Sequence, residues 1–522
     1  MNSVRPISRD TLLTLLLLLT LGIVMMLSNR WFTFMDDEVA MIQDATRPVS
    51  QILQHFGAGI GEHRHPPLYD LLLAAWLRVS GARISLLRLP ATVFYLLGLW
   101  FVIQTAGVMG GSAAARAALW MGVIFPYGFH FGRIAGWYSL SFCTLAMVTY
   151  AYLLVDKKPG WGRWLLLVLA CELAVYTNYF LFACIGLLAL DYLLRHRSES
   201  KHVAAAGASL LVILLGFLPL LGALLFRVAA DRNILRPVYS LAATVLFGGY
   251  NVYTLFVSES IAPWFWYFSI PALAAIALCA VFVLRYGSPA ARRLFLGFLA
   301  CTLAMTLLNL VNTKRLLFLS PWLLISLAMM VGSLARPALR TSAVLALALI
   351  GATGWFGILS RQYYAAPRLI EPWQPVAARA AEKVEKGALV IGSNPSFFFY
   401  LTDEMQSSGN GAAHRFVGAY PEVRRHPQLF TSNQWLEEGR PSAPTMLLVK
   451  GATDETFWKS EQATQALLDQ SCHLEGVERK MPDSGYALKQ RWFAGAQQPA
   501  WRIELRTYQC PGGNIMAAGL RN

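Results

Sequence analysis

Long apolar runs are the feature of this 522-residue chain that most constrains its fold. A helix needs about 20 consecutive apolar residues to cross the hydrocarbon core of a bilayer. With 56% hydrophobic and only 14% charged residues, the chain fits neither one water-soluble core nor a disordered protein. We therefore predict a polytopic α-helical membrane protein with about 11 transmembrane helices. The predicted spans are Thr11–Leu27, Leu86–Val108, Ala117–Phe131, Tyr138–Val155, Trp164–Val175, Tyr179–Leu194, Val203–Phe226, Pro263–Leu284, Leu294–Val311, Leu316–Ala335 and Thr341–Leu359.

The composition changes after residue 360, where the apolar runs end and polar, turn-rich sequence begins. Residues 1–360 are therefore predicted to form the membrane domain, and residues 361–522 a soluble domain. In the soluble domain, strand patterns alternate with helical ones, which is typical of a small α/β domain. The predicted strands are ALVIGS at 388–393 and TMLLVK at 445–450, the predicted helices are Val376–Lys386 and Glu461–Gln470, and SFFFYL at 396–401 is a further apolar segment.

The formal net charge of +15 falls mostly within the first 360 residues. In a soluble protein such an excess would suggest a nucleic-acid partner, whereas in a membrane protein Lys and Arg collect on cytoplasmic loops. Arg5 and Arg9 place the N-terminus in the cytoplasm, and an odd number of spans then carries the C-terminal domain to the exterior. The charge therefore indicates orientation, and we predict no nucleic-acid partner.

One further amphipathic segment lies in the predicted exterior loop of residues 28–85. Apolar residues follow helical spacing from His65 to Gly81, and two prolines near the beginning suit a helix start. Counting this segment as a span would turn Lys157 and Lys158 outward, against the positive-inside rule. We predict a helix that lies in the outer membrane interface.

Cys472 and Cys510 are the two cysteines of the soluble domain. An oxidising exterior would permit a disulfide between them, and the alternative is two unpaired thiols. The other five cysteines lie in predicted spans without the spacing of a metal site, so we interpret them as packing residues.

Three consecutive carboxylates, Asp36, Asp37 and Glu38, follow the first predicted span. Carboxylates beside a bilayer are costly to desolvate unless a partner or a reaction uses them. A carboxylate at a semi-buried interface can act as a general base on a hydroxyl group, which fits an enzyme that acts on a lipid-anchored substrate. The structural alternative is a solvated loop, or a helix start whose dipole favours acidic residues.

Further polar residues lie at the predicted exterior ends of the spans. A histidine beside a proline-initiated helix can bind a phosphate or shuttle a proton. Arg and Lys on the exterior side are exceptions to the positive-inside rule. Their position favours an anionic lipid headgroup as their partner. The structural alternatives are a headgroup-level histidine and basic side chains that snorkel to the interface. The candidate residues of this group are His65, Arg133, Tyr138, Asn178, Lys314 and Arg315.

Taken in order, these motifs resemble the GT-C glycosyltransferases, in particular the protein O-mannosyltransferases, the lipid A aminoarabinose transferase and a galacturonosyltransferase-like branch. The resemblance covers about residues 1–340 and adds nothing for the soluble domain. The motifs that carry it are the acidic pair Asp37-Glu38, HPPL at 65–68, Arg133 with YSL at 138–140, TNYFLFA at 177–183 and KRLLFLSPW at 314–322.

The resemblance implies an inverting transfer of sugar from a polyprenyl-phosphate-linked donor at the exterior face of a bacterial inner membrane. The C-terminal domain would then be periplasmic, and the acceptor a lipid A or lipopolysaccharide glycolipid, another glycan or a protein. The family implies that Asp37 deprotonates the acceptor hydroxyl and that Glu38 orients it or binds substrate. It also implies that His65, Lys314 and Arg315 contact the donor phosphate.

Two departures from the family pattern concern Tyr138 and Asn178. Relatives often carry an acid at the position of Tyr138, so we predict metal-independent chemistry without a cofactor. The aminoarabinose transferase pattern has a basic residue at the position of Asn178, so an amide replaces a charged phosphate contact there. Together with Asp36 and Arg133, both residues belong to the predicted substrate-binding set.

Two other classes of function stay open. A transporter or flippase of a lipid-linked anionic sugar would bury ionisable groups near the bilayer midplane, often in repeated halves. Here the ionisable residues cluster at the outer ends of the predicted spans and no internal repeat is visible, which favours the enzyme. The third interpretation is a non-catalytic envelope assembly factor that uses its soluble domain for docking.

Overall fold

The structure is a computed structural model, in which the chain forms two compact units. The helical unit comprises Met1–Trp31, Pro48–Val79 and Arg83–Tyr363, and the sheet unit comprises Phe32–Arg47, Ser80–Ala82 and Tyr364–Asn522. The described residues are 9–58, 65–81, 84–230, 241–307, 313–360, 372–407, 426–451, 455–480, 503–511 and 513–514.

Apolar helices build the helical unit. Its described helices are α1 Arg9–Leu27, α3 Val49–Ala58, α4 Leu68–Ser80, α5 Ile84–Leu87, α6 Leu89–Ile124, α7 Pro126–Phe131, α8 Trp137–Lys157, α9 Trp161–Val175, α10 Leu181–Arg195, α11 Ser200–Ala230, α12 Leu241–Val257, α13 Trp266–Tyr286, α14 Pro289–Leu307, α15 Ser320–Ser333 and α16 Pro337–Ser360, with α2 Asp36–Ala45 in the sheet unit. Among the described residues, eight helical segments are long and apolar enough to cross a membrane. This confirms the predicted polytopic helical fold class. The eight differ from the eleven predicted spans because α6 takes up two of them and α9 and α10 have only 15 residues each.

Helix α6 folds back on itself at Gly111, whose backbone has φ 74° and ψ −170°. A Cβ atom at Gly122 would lie 2.9 Å from Cδ2 of Leu99, although a straight helix would hold these two residues about 35 Å apart. The two halves therefore pack side by side as a hairpin. Glycine suits the turn because a positive φ is strained for residues that carry a Cβ. The halves correspond to the two predicted spans before and after Arg116.

Helix α12 was not among the predicted spans. It has 17 residues, and Asn251 and a Gly248-Gly249 pair interrupt its apolar pattern. In the fold, Asn251 is buried and its amide nitrogen donates a hydrogen bond of 2.9 Å to Oγ1 of Thr306 in α14. A polar residue that breaks the apolar run is thus paired by a neighbouring helix.

Helix α4 begins directly after two prolines, as the sequence predicted, and buries one face. Its buried residues recur at helical spacing and are Tyr69, Asp70, Leu73, Ala74 and Leu77. The other side carries the exposed Leu72 and Val79. Its position in a membrane interface stays a prediction.

The sheet unit has a five-stranded mixed sheet in the order β2-β1-β4-β6-β5 and a two-stranded sheet of β3 and β7. The strands are β1 Leu389–Gly392, β2 Leu429–Thr431, β3 Pro441–Ser442, β4 Thr445–Lys450, β5 His473–Lys480, β6 Ile503–Gln509 and β7 Gly513–Asn514, and the helices are α17 Trp373–Glu385, α18 Pro395–Ser407, α19 Ser432–Glu437 and α20 Glu455–Ser471. Strand β1 pairs in parallel with β2 and β4, and its residues are all buried, as continuous apolar strands of parallel sheets usually are. Strand β6 pairs antiparallel with β4 and β5. The predicted C-terminal α/β fold is therefore confirmed, whereas SFFFYL forms part of helix α18.

Cys472 and Cys510 form a disulfide at the end of the β5–β6 ladder. The two strands pair with His473 opposite Gln509, and the Cα atoms of the two cysteines, one residue further out, lie 4.5 Å apart. Both cysteines pack against the buried core cluster that includes Trp435. The disulfide therefore closes the edge hairpin onto the core of the sheet unit.

Removing this disulfide is expected to destabilise the sheet unit. The variant Cys472→Ser/Cys510→Ser should lose about 4 kcal/mol of its free energy of unfolding, because the disulfide spans 38 residues of sequence. Pulse proteolysis of the full chain in urea measures the unfolding midpoint of the sheet unit. A reductant should lower the wild-type midpoint and leave that of the variant unchanged. Equal midpoints for variant and wild type would contradict the expectation.

Helix α2, which carries the three consecutive acids, belongs to the sheet unit rather than to the helical unit. The residues before it pack on α18, where the backbone N–H of Phe34 donates to Oη of Tyr400 at 2.6 Å and the rings of Phe34 and Phe399 lie 5.1 Å apart. The sequence did not predict this association, which fastens the acidic helix to the sheet unit.

Candidate functional site

The three predicted acids lie in the first turn of α2, where the helix dipole favours negative charge. Glu38 is fully buried, and its Oε2 accepts a hydrogen bond of 3.0 Å from the backbone N–H of Met35. Its carboxylate therefore caps its own helix. Asp37 is half-buried, and the side chain of Asp36 lies outside the described part of the structure. Of the two described acids, Asp37 is the one that solvent or a substrate can reach.

The HPPL segment and the TNYF turn, two separate motifs of the sequence, meet in the helical unit. The backbone N–H of Leu68 donates to the carbonyl oxygen of Tyr176 at 3.3 Å. Asn178 follows two residues later and is fully buried, with its Oδ1 accepting from the backbone N–H of Phe180 at 3.0 Å. Within the described residues, the Nδ2 of Asn178 has no hydrogen-bond acceptor. A buried donor without an acceptor costs free energy. A ligand oxygen that accepted a hydrogen bond from this Nδ2 would remove that cost.

A row of ring contacts connects His65 to Lys314. The imidazole of His65 lies 4.0 Å from the ring of Trp137, and that ring lies 4.4 Å from the ring of Tyr138. The Nζ of Lys314 lies 5.9 Å from the centroid of the Tyr138 ring, within the range of a cation–π interaction. Three residues that the sequence predicted separately are therefore brought together.

The basic pair Lys314-Arg315 lies in a 3-10 turn, Thr313–Leu319, just before α15. The Lys314 residue is only 8% exposed. Arg315 is half-buried, and its buried Nε has no acceptor among the described residues. A buried guanidinium N–H without a protein acceptor fits an anionic ligand, since Arg matches phosphate geometry well.

Arg133 is buried and donates hydrogen bonds to atoms of the protein itself. Its Nη1 donates to the carbonyl oxygen of Met25 at 2.9 Å and to Oγ of Ser28 at 2.7 Å, and its Nε donates to the carbonyl oxygen of Phe129 at 3.0 Å. The guanidinium also lies 4.2 Å from the ring centroid of Phe129. These contacts bind the end of α1 to the segment after α7, so Arg133 has a structural role. A substrate contact by Arg133 stays a prediction.

A buried polar cluster beside α7 was missed by the sequence reasoning. The Nδ1 of His130 lies 2.9 Å from Oγ of Ser258, and Tyr250 donates to Oε1 of Glu259 at 2.6 Å. Ser258 has φ 65°, a strained value for a residue with a side chain. The sequence signal was the short polar interruption Ser258-Glu259-Ser260 between apolar runs.

Helix α16 makes room for this polar turn at Gly357, where a Cβ atom would lie 2.5 Å from the carbonyl oxygen of Ser260. The variant Gly357→Ala is expected to destabilise the helical unit by about 1–3 kcal/mol, because backbone must move. The matched control is Gly351→Ala in the same helix, where the nearest atom would be 3.7 Å away and helix propensity favours alanine. Thermal unfolding of the purified full chain in detergent compares the two. A melting temperature for Gly357→Ala equal to that of the control would contradict the expected clash.

Comparisons with known proteins agree with the sequence motifs over part of the chain. A comparison with curated proteins gives no match. Two solved structures of ArnT from Cupriavidus metallidurans, one bound to undecaprenyl phosphate and one in the apo state, are similar to the chain at 14% identity. They cover 97% and 96% of this chain and 98% of each ArnT chain, with TM-scores of 0.41 and 0.38. Residues 64–223 match the family model described as dolichyl-phosphate-mannose-protein mannosyltransferase. The predicted resemblance to the protein O-mannosyltransferases is therefore confirmed over this segment, which contains His65, Arg133, Tyr138 and Asn178.

Proposed function

We propose that the chain is an inverting GT-C glycosyltransferase of the bacterial inner membrane. It would move a sugar from a polyprenyl-phosphate-linked donor to an envelope acceptor at the periplasmic face, the acceptor being lipid A or lipopolysaccharide, another glycan or a protein. The observation that carries the proposal is the match of residues 64–223 to a family described by sugar transfer from a dolichyl-phosphate-linked donor. Four of the predicted substrate-binding residues lie inside that segment.

In the proposed reaction, Asp37 is the general base. The acceptor hydroxyl transfers its proton to the Asp37 carboxylate while the acceptor oxygen attacks the anomeric carbon of the sugar. The bond between that carbon and the phosphate oxygen breaks, and polyprenyl phosphate leaves with the electron pair. Attack from the side opposite to the leaving group inverts the anomeric configuration. The half-buried state of Asp37 supports this role, whereas the fully buried Glu38 acts by holding the start of α2.

The leaving phosphate is proposed to bind at the basic turn of the helical unit. Lys314 is buried beside Tyr138, and Arg315 has a buried Nε without an acceptor among the described residues. Fixed cations in a site with little water stabilise a developing negative charge more strongly than they would in water. The Nδ2 of Asn178, which has no acceptor in the described part of the chain, supplies a neutral hydrogen-bond donor to the same phosphate. The proposed transfer is independent of metal.

Transport of an intact lipid-linked sugar is the competing function, and sealed proteoliposomes separate the two. Vesicles that contain the full chain and a polyprenyl-phosphate donor labelled in the sugar are mixed with an envelope acceptor fraction. The proposal predicts that label moves into acceptor and that the rate depends on acceptor concentration. If the labelled donor instead changes leaflet intact and at the same rate without acceptor, the chain is a transporter and the proposal is wrong.

A further inference from the structure

Two histidines and a glutamate converge at the connection between α10 and α11. His196 directly follows α10, Glu199 precedes α11, and His202 lies in the first turn of α11. Helix α10 starts shortly after Asn178 and has 15 residues, so its length of about 22 Å separates this connection from Asn178, one of the proposed donor-binding residues. The cluster is therefore separate from the proposed catalytic chemistry.

The potential ligand atoms of the three side chains lie close to one another. The Nδ1 of His196 lies 3.1 Å from Oε1 of Glu199, and the Nδ1 of His202 lies 2.5 Å from Oε2 of Glu199. One ligand atom from each residue can be chosen so that all lie within 4.8 Å of one another. The side chains of His196, Glu199 and His202 are 19%, 50% and 25% exposed, so an ion from solution can reach them.

We propose that His196, Glu199 and His202 form a binding site for a first-row divalent transition metal of the Zn²⁺ type. Two imidazoles and one carboxylate are a donor set that such ions prefer, whereas Mg²⁺ and Ca²⁺ prefer oxygen ligands. Ligand atoms around tetrahedral zinc lie about 3.4 Å apart, given bonds of about 2.0–2.1 Å. The distances in the cluster reach this arrangement through small movements of exposed side chains. Water would complete the coordination of the ion.

A second observation supports a built site, because His196 is held from its other side. Its Nε2 lies 3.1 Å from Oδ1 of Asp156 at the end of α8, and Asp156 is itself paired with Arg195 at 2.7 Å. Histidine ligands of metals usually donate their second ring N–H to a carboxylate, which fixes the ring orientation. The arrangement leaves Nδ1 of His196 directed toward Glu199 and connects the metal site to α8.

The chemistry of the site indicates a structural role. Three protein ligands on a chain segment of seven residues would clamp the connection between α10 and α11, and Asp156 would tie that connection to α8. The alternative is that the three side chains only contact one another and hold no ion. The two possibilities differ in whether the protein takes up a metal ion.

Equilibrium dialysis with Zn²⁺ tests the site in tag-free full-length protein that has been stripped with a chelator and placed in detergent. We expect about one tightly bound Zn²⁺ per wild-type chain, and its loss in Glu199→Gln and in His202→Ala. The matched controls are Lys201→Ala, an exposed residue of the same connection, and His473→Ala, an exposed histidine of the sheet unit. Both should bind Zn²⁺ like the wild type. Wild-type protein without stoichiometric Zn²⁺, or ligand variants that bind it equally well, would overturn the proposal.

Melting temperatures measured with and without Zn²⁺ distinguish a loss of metal binding from a loss of stability in a variant. Zn²⁺ should raise the melting temperature of the wild type and of both controls but not that of Glu199→Gln. Asp156→Asn should weaken Zn²⁺ binding about 10–100-fold without abolishing it, as expected for a residue that positions a ligand. If Glu199→Gln lowers the melting temperature while Zn²⁺ shifts neither wild type nor variant, the cluster is an ion-pair network only.

Discussion

Replacing Asp37 by Asn is expected to reduce the rate of sugar transfer on the order of 10²–10³-fold. The amide has nearly the same shape as the carboxylate, but it cannot accept the proton of the acceptor hydroxyl. Donor binding should stay unchanged because the phosphate is assigned to other residues. Initial rates at saturating donor, together with equilibrium binding of the donor, measure the two effects separately.

The matched control for this prediction is Asp44→Asn in the same helix. Asp44 lies two turns further along α2 and pairs with Arg47 at 3.2 Å; because Asp44 is buried, thermal unfolding of the variant is measured in parallel to check that it folds. Its transfer rate should stay within a few-fold of the wild type. A wild-type rate for Asp37→Asn would show that Asp37 is not the base. A loss of donor binding in that variant would instead indicate a structural fault.

Replacing Lys314 by Met is expected to weaken binding of the lipid phosphate about 10²-fold. The substitution keeps the length of the side chain but removes a buried charge, and removing one partner of a buried charge pair costs about 2–5 kcal/mol. The methionine can still pack against Tyr138, which the ammonium group faces at 5.9 Å. Binding of undecaprenyl phosphate to the purified chain, measured in nanodiscs, gives the change in affinity directly.

Lys158→Met serves as the control, since Lys158 is an exposed lysine at the end of α8. Its affinity for undecaprenyl phosphate should equal that of the wild type. If Lys314→Met and Lys158→Met bind the lipid phosphate equally well, the basic turn is not the phosphate site. The proposal would then have to place the leaving group elsewhere.

The helical fold could be predicted because apolar runs are read directly from local sequence. Each predicted span corresponds to a helix or to one half of the hairpin helix α6, and even the two short spans around Glu172 and Leu188 appear as α9 and α10. Helix α12 was missed although its residues are on average as apolar as those of the predicted spans. Its one amide side chain, Asn251, is paired with Thr306, which lies 55 residues away. Local hydropathy cannot identify such a partner.

The candidate site was partly predictable for the same reason. His65, Tyr138 and Lys314 belong to recognisable motifs, and the structure brings them into one row of contacts. The pair His130–Ser258 joins residues 128 positions apart, and neither belongs to the motifs of the resemblance. Pairing over that distance depends on how helices pack, which a single sequence does not show.

The position of the acidic helix was the least predictable feature. The chain order suggested that residues 28–85 form one loop of the membrane domain, but α2 belongs to the sheet unit through the contact of Phe34 with Tyr400, 366 residues away. The sheet unit therefore holds the helix on which the proposed base lies. In the proposed function, the C-terminal domain therefore holds the base-bearing helix, a role that the family resemblance did not offer.

We propose that the chain's reaction breaks the bond between a sugar and a polyprenyl phosphate and passes the sugar to an acceptor. Its most direct test is the stoichiometry of one time course with the purified full chain, donor and envelope acceptor fraction, in which mass spectrometry quantifies both products. We expect one mole of free polyprenyl phosphate for each mole of sugar gained by the acceptor. With Asp37→Asn we expect at most about 1% of either product over the same period. An acceptor that gains no sugar while the donor stays intact would show that the chain does not catalyse this transfer.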